Sequence, residues 1–516
     1  MAQIRRKELA VAALVAVNLA LMAGLSQVLF FRLDASSSRA FSMSKQISSL
    51  PSRLAYPLKL TYWVTSNVLD LSAEARDILD ALRELEAVSG GMVTVDVVDP
   101  VATGREREAE ALGAERRQLP KLGASEVSVQ VAYAGVSMEY GGEIAALPMA
   151  LRQDGSSTPG FEYDLYKRVS ALVAGRKLKI GIVEGAGTNE FGHGFQNAAV
   201  VLQAAYYELT QIAPGDAIPN DLDAVFVFGT GALDRAGTER IEAFARSGKG
   251  VFMAVQPYDV AIEDLSLVPI REDAPLEMAA AWGAKIGIWL QLDEPKLGFP
   301  SSAGAEETLP YPQWILASKA LFAVHPLMNG RETLLFPWAS PMDVERKVGL
   351  KSTVLAMTGP TSWRMIDIPY SNPADAPSFE RERPATMGSY PLALALEGVL
   401  PARFSTGEAI PSRAVIVPCV PAFRDYIFEV YGIAMLDYVP GEDPNMDFIR
   451  SSADWLVADD SLPIRSRVPK EGRLDRLAGS DREAMVALIY AVALFLVPAL
   501  VIALALVKLA KRRKTR

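Results

Sequence analysis

The chain has 516 residues, half of them hydrophobic, and a formal net charge of −9. That length suits two or more domains of roughly 100–200 residues each. An acidic balance with no basic patch interleaved with aromatics argues against nucleic-acid binding, and one cysteine, Cys419, excludes an intrachain disulfide, a cysteine-based zinc site and a CxxC redox pair.

The charge is unevenly placed. Residues 1–8, with Arg5, Arg6 and Lys7, carry +2 and the tail Lys508 to Arg516 carries +6, leaving −17 for the body by difference. Between the basic N-terminus and Arg32, Leu9 to Phe31 is almost uniformly apolar. It is long enough for the roughly 20 residues of a membrane-crossing helix and exceeds the ~7–15-residue apolar region of a cleaved signal peptide. We read 9–31 as an uncleaved anchor. Ala484 to Val507 reads as a second span, with Pro498 as a tolerated kink. Positive charge outside both spans places the 1–8 segment and the 508–516 tail in the cytoplasm. The bulk of the chain is then expected to be extracytoplasmic, or periplasmic, on a cell (inner) membrane.

Residues 32–150 are expected to form the first extracytoplasmic domain. Leu58 to Val64 reads as a strand; Ser72 caps a helix with Ala75, Ile78, Leu79, Leu82, Leu85 and Val88 on one face, stopped by Gly90-Gly91. Met92 to Val98 is a second strand, closing at Asp99-Pro100. The charged run Arg105 to Arg117 reads as a solvated helix face, and Val127 to Tyr140 with Glu143 to Leu147 as one hairpin around Gly141-Gly142. This order is that of a thioredoxin-like domain, here without redox cysteines.

A helix from Phe161 to Ala174 leads into a second domain, residues 151–470. Lys179 to Glu184 is a short apolar strand ending at Gly185-Ala186-Gly187. Val201, Leu202, Ala205 and Leu209 then recur at helical spacing. Ala224 to Phe228 stops at Gly229-Thr230-Gly231, Asp234 caps a helix ended by Gly248, and Gly250 to Val255 is a third strand. Apolar strands alternating with helices predict an open parallel sheet of the amidotransferase-like or flavodoxin-like kind, covered on both faces. Beyond Pro257 the chain is Pro-rich: Trp282 to Leu292 reads as paired strands, Ser301 to Pro312 and Ile368 to Ser389 as loops, Ala414 to Val417 as the last sheet strand, and Met446 to Val457 as a helix. Residues 471–483 form a linker down to the second span.

Open sheets bind ligands beyond the carboxyl ends of their strands. That rule selects Glu184, Gly185, Gly187, His193, Gly229 and Thr230 as ligand-binding candidates, with Asp259 as a further acidic strand end. The turn lacks the third glycine of a dinucleotide fingerprint, and no GxxxxGK[ST] loop or GxSxG elbow occurs. An amidotransferase would need a nucleophilic cysteine backed by histidine; Cys419, between Pro418 and Val420, reads as a buried inert thiol. His193 and His325, the only histidines, fall in no metal-binding spacing; we read His325 as partly buried and hydrogen-bonded. No catalytic residue, metal or cofactor is assigned.

Four regions in order carry a family resemblance: Phe41-Ser42-Met43-Ser44 after the first span, Asp96-Val97-Val98-Asp99-Pro100, Ala224 to Pro257, and the closing segments Tyr390 to Phe404 and Asn445 to Arg467 with Asp454-Trp455-Leu456. The chain resembles the GldG-type family, the auxiliary component of gliding-motility-associated and uncharacterised ABC transport systems. Two departures stand out: Gly248-Lys249-Gly250 replaces paired glycines, and Gly185-Ala186-Gly187 replaces a Gly-His-Gly-like turn, so no histidine role carries over. The resemblance implies a non-catalytic accessory subunit beside a separate permease and ATPase, with an envelope partner or small ligand on the α/β domain. A membrane-anchored envelope enzyme of hydrolase type using the crevice above Gly185 and Gly229, or a pure envelope scaffold, are the alternatives.

Overall fold

The computed structural model describes residues 43–122, 127–151, 158–185, 194–261, 266–271, 273–295, 297–300, 308–365, 371–372, 379, 383–425 and 444–465. The expected spans at 9–31 and 484–507 lie outside these residues. Among the described residues no helix is long and apolar enough to cross a membrane.

The N-terminal unit is built on β1 (Leu58–Val64), α1 (Ala73–Val88), β2 (Val93–Val98), β3 (Ala134–Tyr140) and β4 (Glu143–Leu147). The sheet order is β2-β1-β3-β4, with β1 and β2 parallel and the other pairs antiparallel. Ser72 opens α1 by accepting the Ala75 N–H at 3.1 Å, which satisfies one of the donors a helix start leaves unpaired. Ile78, Leu82 and Leu85 are fully buried at helical spacing. Val88, expected on the same face, is 54% exposed; it is the helix's last residue, and the chain turns away at Gly90, whose φ is +62°.

Two expectations for this region fail. The charged helix is confined to Glu106–Ala111, ended by Gly113 at φ +88°, and Arg117 already begins a strand. The run from Val127 is two strands: Val127–Ala132 pairs with Arg117–Leu122, and only β3 forms the hairpin with β4. The break falls at Tyr133, which is fully buried and packs with Trp63, Ala109 and Ala114 in a small separate core.

Helix α2 (Thr158–Ala174) packs on β4 and α1, and Arg168 donates from Nε to the Ala146 carbonyl at 2.8 Å. The larger sheet contains β5 (Lys179–Glu184), β6 (Glu208–Ile212), β7 (Ala224–Phe228), β8 (Gly250–Ala254), β9 (Leu350–Met357), β10 (Pro391–Gly398) and β11 (Ser412–Val417). Its order is β9-β10-β11-β8-β7-β5-β6. Strands β6, β5, β7, β8 and β11 run parallel, while β10 is antiparallel to both β9 and β11. The sheet is therefore mixed. The last strand in sequence, β11, lies in its interior.

Helix α3 (Gln196–Ala204) stops short of Leu209. Tyr206 adopts φ +68°, rare for a residue with a side chain, and reverses the chain so that Leu209 lies in β6 rather than on the helix. The sheet is covered on both faces. Phe226, Phe228 and Phe252 share one face with Phe195, Phe423 and Phe448, their rings 4.5–6.3 Å apart. Each such ring contributes roughly 1.5–3 kcal/mol by burial. On the other face Val225, Val227, Val251 and Met253 meet Ile241 and Ala245 of α4 (Arg235–Arg246), together with Met278 and Trp282. Helix α5 (Pro444–Leu456) returns to pack on α3, β8 and β11.

The insertion between β8 and β9 builds its own aromatic core of Tyr258, Tyr311, Trp314, Trp338 and Trp363. The expected pairing within Trp282 to Leu292 does not occur. Ala284–Ile286 pairs with Met342–Val344, and Gln291–Leu292 with Trp363–Arg364, so both pieces find partners from distant sequence.

Candidate functional site

The carboxyl ends of β5, β7, β8 and β11 lie side by side, where an open sheet presents its crevice. Past the strand ends the ladder continues: Gly185 N–H donates to Phe228 O at 2.8 Å, Gly229 N–H to Ala254 O at 2.8 Å and Val255 N–H to Val417 O at 3.0 Å. Gly185 is glycine for a local reason. A β-carbon there would lie 2.5 Å from the Gly229 carbonyl oxygen, so the two turns could not approach this closely. Gly229 itself has φ +89°, where glycine bears no steric cost.

The polar groups at these ends bond mostly to one another. Thr230 is fully buried and donates its hydroxyl to Gln256 O at 2.9 Å. Gln256, also fully buried, accepts from Val420 N–H at 2.9 Å and donates to Tyr258 O at 2.7 Å. Glu184 is half-buried and accepts from Gln211 Nε2 at 3.1 Å. Its other carboxylate oxygen would lie 3.0 Å from a β-carbon on Gly194, which places Glu184 against the start of α3. The structure thus brings Glu184, Gly185, Gly229 and Thr230 to one rim, while Gly187 and His193 lie outside the described residues.

The residues that close this rim were not signalled by any local motif. The first residues of α3 offer unpaired N–H groups and the positive end of a helix dipole, a ready anion site. Phe195 at the cap position has no oxygen to fill it. Asp425 does: its carboxylate accepts from Gln196 N–H and Asn197 N–H, each at 2.8 Å, while the residue is 4% exposed. Its neighbour Arg424 is equally buried, lies 5.9 Å from the Phe195 ring centroid and bridges to Asp259 at 2.8 Å. Asp259, expected to be open to a polar ligand, is engaged in that ion pair.

Cys419 is fully buried beyond the end of β11, its thiol donating to Pro337 O at 3.0 Å. Burial pushes its pKa well above the ordinary thiol range, the opposite of what an activated nucleophile needs. His325 is 7% exposed, accepts from Leu327 N–H at 3.3 Å through Nδ1 and meets the Trp455 ring edge-on at 5.3 Å. Burial lowers its pKa. Among the described residues no group of histidine, cysteine and carboxylate side chains could hold a metal ion.

A second polar cluster lies deep between α2 and α5. Asp454 is fully buried and its Oδ1 accepts from Tyr207 OH at 2.6 Å, Tyr163 OH at 3.0 Å and Lys167 Nζ at 3.3 Å. Lys167 also reaches Asp459 at 2.6 Å and lies 3.9 Å from the Tyr207 ring centroid. Burial raises the Asp454 pKa, with Lys167 pulling the other way.

Part of the chain is similar to a described family. Residues 177–426 match the family described as ABC-type uncharacterized transport system. The matched region therefore encloses the whole rim, from Glu184 to Asp425, and stops one residue beyond it. Residues 37–139 match a separate domain of unknown function, DUF7088. No curated protein matches the chain. Among solved structures, a ThuA-like protein from Bacteroides uniformis is similar at 11% identity and a TM-score of 0.30, covering 55% of this chain and 92% of that one. A β-galactosidase from Rahnella sp. R3 is similar at 12% identity and TM-score 0.25, covering 69% of this chain and 41% of that chain. One from Bacillus circulans sp. alkalophilus is similar at 10% identity and TM-score 0.25, covering 86% and 50%. The chain spans half or less of these galactosidases' length, and likeness at such scores carries no functional argument.

Proposed function

We propose that this protein is a non-catalytic accessory subunit of an ABC-type transport system, of the GldG type. In this reading, helices at 9–31 and 484–507 anchor it in the cell membrane with both termini cytoplasmic. The N-terminal unit serves as a thioredoxin-like binding domain without redox chemistry. The mixed-sheet domain presents its surface to a separate permease and, through it, an ATPase.

The family match over 177–426 supports the transport setting. The accessory role rests on one observation: Asp425 occupies the α3 N-terminus that would otherwise receive an anionic substrate. A site whose strongest electrostatic feature is already satisfied by the chain's own carboxylate is suited to holding a shape rather than to turning over a charged substrate. Recognition would then occur by surface complementarity.

The test is affinity purification of the tagged full-length protein from native membranes, followed by mass spectrometry. Stoichiometric recovery of a permease and an ATPase is the expected result. Recovery of the chain alone, under conditions that keep a known ABC complex intact, would overturn the accessory role. Protease protection in sealed vesicles tests the topology: cleavage of residues 43–465 from the cytoplasmic side would refute it.

A further inference from the structure

The N-terminal sheet carries a cavity that neither the transport reading nor the domain match assigns. One face of the sheet packs against α1 and α2; against the other, Ala109 of the short helix Glu106–Ala111 packs with Trp63. Between sheet and helix lies a space of about 340 Å³ lined by Lys59, Thr61, Trp63, Asp96, Glu139 and the helix, within the size range of small-molecule sites.

The strand register arranges its floor. Thr61 of β1 is paired with Asp96 of β2 on one side and with Ser137 of β3 on the other, so Asp96 and Thr61 are neighbours across strands about 4.8 Å apart. Trp63, two residues on and on the same face, is held by its indole N–H donating to Ser137 Oγ at 2.9 Å. Val98, Ala111 and Leu112 supply an apolar wall.

Charge pairing decides what the space accepts. Its lining holds two cations and three carboxylates. Lys59 is paired with Glu139 at 3.0 Å, and Arg105 with Glu108 through two contacts of 2.7 and 2.5 Å, with its guanidinium 5.3 Å from the Trp63 ring centroid. Asp96 makes no direct ion pair among the described residues, although the Arg105 guanidinium feels its charge without contacting it. Thr61 is only 3% exposed, and its hydroxyl, which makes no hydrogen bond among the described residues, lines the cavity. An anion would find both bases engaged; a neutral apolar ligand would leave the Thr61 hydroxyl unsatisfied and desolvate Asp96.

We propose that this cavity binds a small organic ammonium ion. The charged head pairs with Asp96 and donates a hydrogen bond to Thr61 Oγ1, and the aliphatic part lies against Val98, Ala111 and Leu112. The site is independent of the transport reading and of the crevice on the larger sheet.

Saturation-transfer NMR titration of the full-length protein with pentylamine, pentanol and pentanoate tests the assignment. Pentylamine is expected to bind at least about tenfold tighter than the isosteric alcohol or acid, since it alone brings a positive charge to the Asp96 carboxylate. Asp96→Asn, a substitution at an exposed position, is expected to weaken pentylamine about tenfold or more while leaving pentanol unchanged. Thr61→Val should weaken it about threefold. Equal binding of the three probes, absence of pentylamine binding, or unchanged affinity in Asp96→Asn would overturn the proposal. Because Asp96 faces solvent, its variant decides the matter even if Thr61→Val fails to fold.

Discussion

Replacing Lys167 with methionine should cost more than any surface change in this protein. The Lys167 side chain is 4% exposed, and its ammonium lies 3.3 Å from Asp454 Oδ1 and 2.6 Å from Asp459 Oδ2. Methionine keeps most of the volume and removes the charge, leaving a fully buried carboxylate with two phenol donors and no cation. Breaking a buried pair from one side costs about 3–5 kcal/mol. Protonation of Asp454 lessens that loss, and this sets the pH dependence. Burial already raises the Asp454 pKa above its ordinary value of 3.8, and Lys167 opposes the rise. A carboxyl whose folded pKa is raised contributes stability that is full below the unfolded value and is lost as pH climbs through the folded value. Without Lys167 the folded pKa climbs further, so the deficit of the variant relative to the parent should widen from about pH 5 to about pH 8. Urea unfolding of the full-length protein at both pH values measures the deficit. Hydrogen exchange over residues 444–456 locates it, because α5 carries Asp454. A variant within about 0.5 kcal/mol of the parent at both pH values, or one less stable at the lower pH, would refute the reasoning.

Four further outcomes follow from single contacts. Glu242 is fully buried and accepts from three successive backbone N–H groups, Arg403, Phe404 and Ser405, at 2.5–2.8 Å; Glu242→Ala should cost about 3 kcal/mol, read by denaturant unfolding, with exchange rising at 403–405. Gly185→Ala forces a β-carbon to 2.5 Å from Gly229 O and should destabilise by about 1–3 kcal/mol, seen as a lower melting temperature. Cys419 should react with iodoacetamide only as fast as the protein opens, because its thiol is buried and its pKa raised; labelling in native buffer as fast as in urea would contradict this. His325 has a folded pKa below 6.5 through burial, so its contribution is present above that value and declines as pH falls through the lowered pKa; His325→Phe should flatten that part of the stability–pH profile.

Elements with a strong local pattern were legible in the sequence. The Ser72-capped helix, the three apolar strands around Gly185 and Gly229, and the Asp234 cap, whose carboxylate accepts from Gly237 N–H at 2.7 Å, depend on residues within a few positions of one another. Misreadings cluster where one residue's backbone or burial overrides the pattern. Tyr206 at positive φ turned an apparent helix into a helix and an edge strand, and buried Tyr133 split an apparent long strand between two sheets. Neither residue type advertises a break. Glycine or proline would have done so.

The rim of the larger sheet was half legible for the same physical reason. Strand ends and glycine turns are local, so Glu184, Gly185, Gly229 and Thr230 could be named. The groups that complete the rim arrive from far along the chain, with Asp425 capping α3 across 229 positions and Gln256 bonding Val420 across 164. Such pairs become visible only when β11 is placed beside β8, and its interior position cannot be inferred from a four-residue apolar run. Two consequences follow. A search for function confined to the glycine turns overvalues Thr230, whose hydroxyl is already committed to Gln256 O. It also overlooks Thr61, an ordinary strand residue, because lining a cavity is a property of neighbours rather than of spacing. Which polar groups stay open to a ligand is thus settled by partners far along the chain, as Asp425 settles the α3 N-terminus.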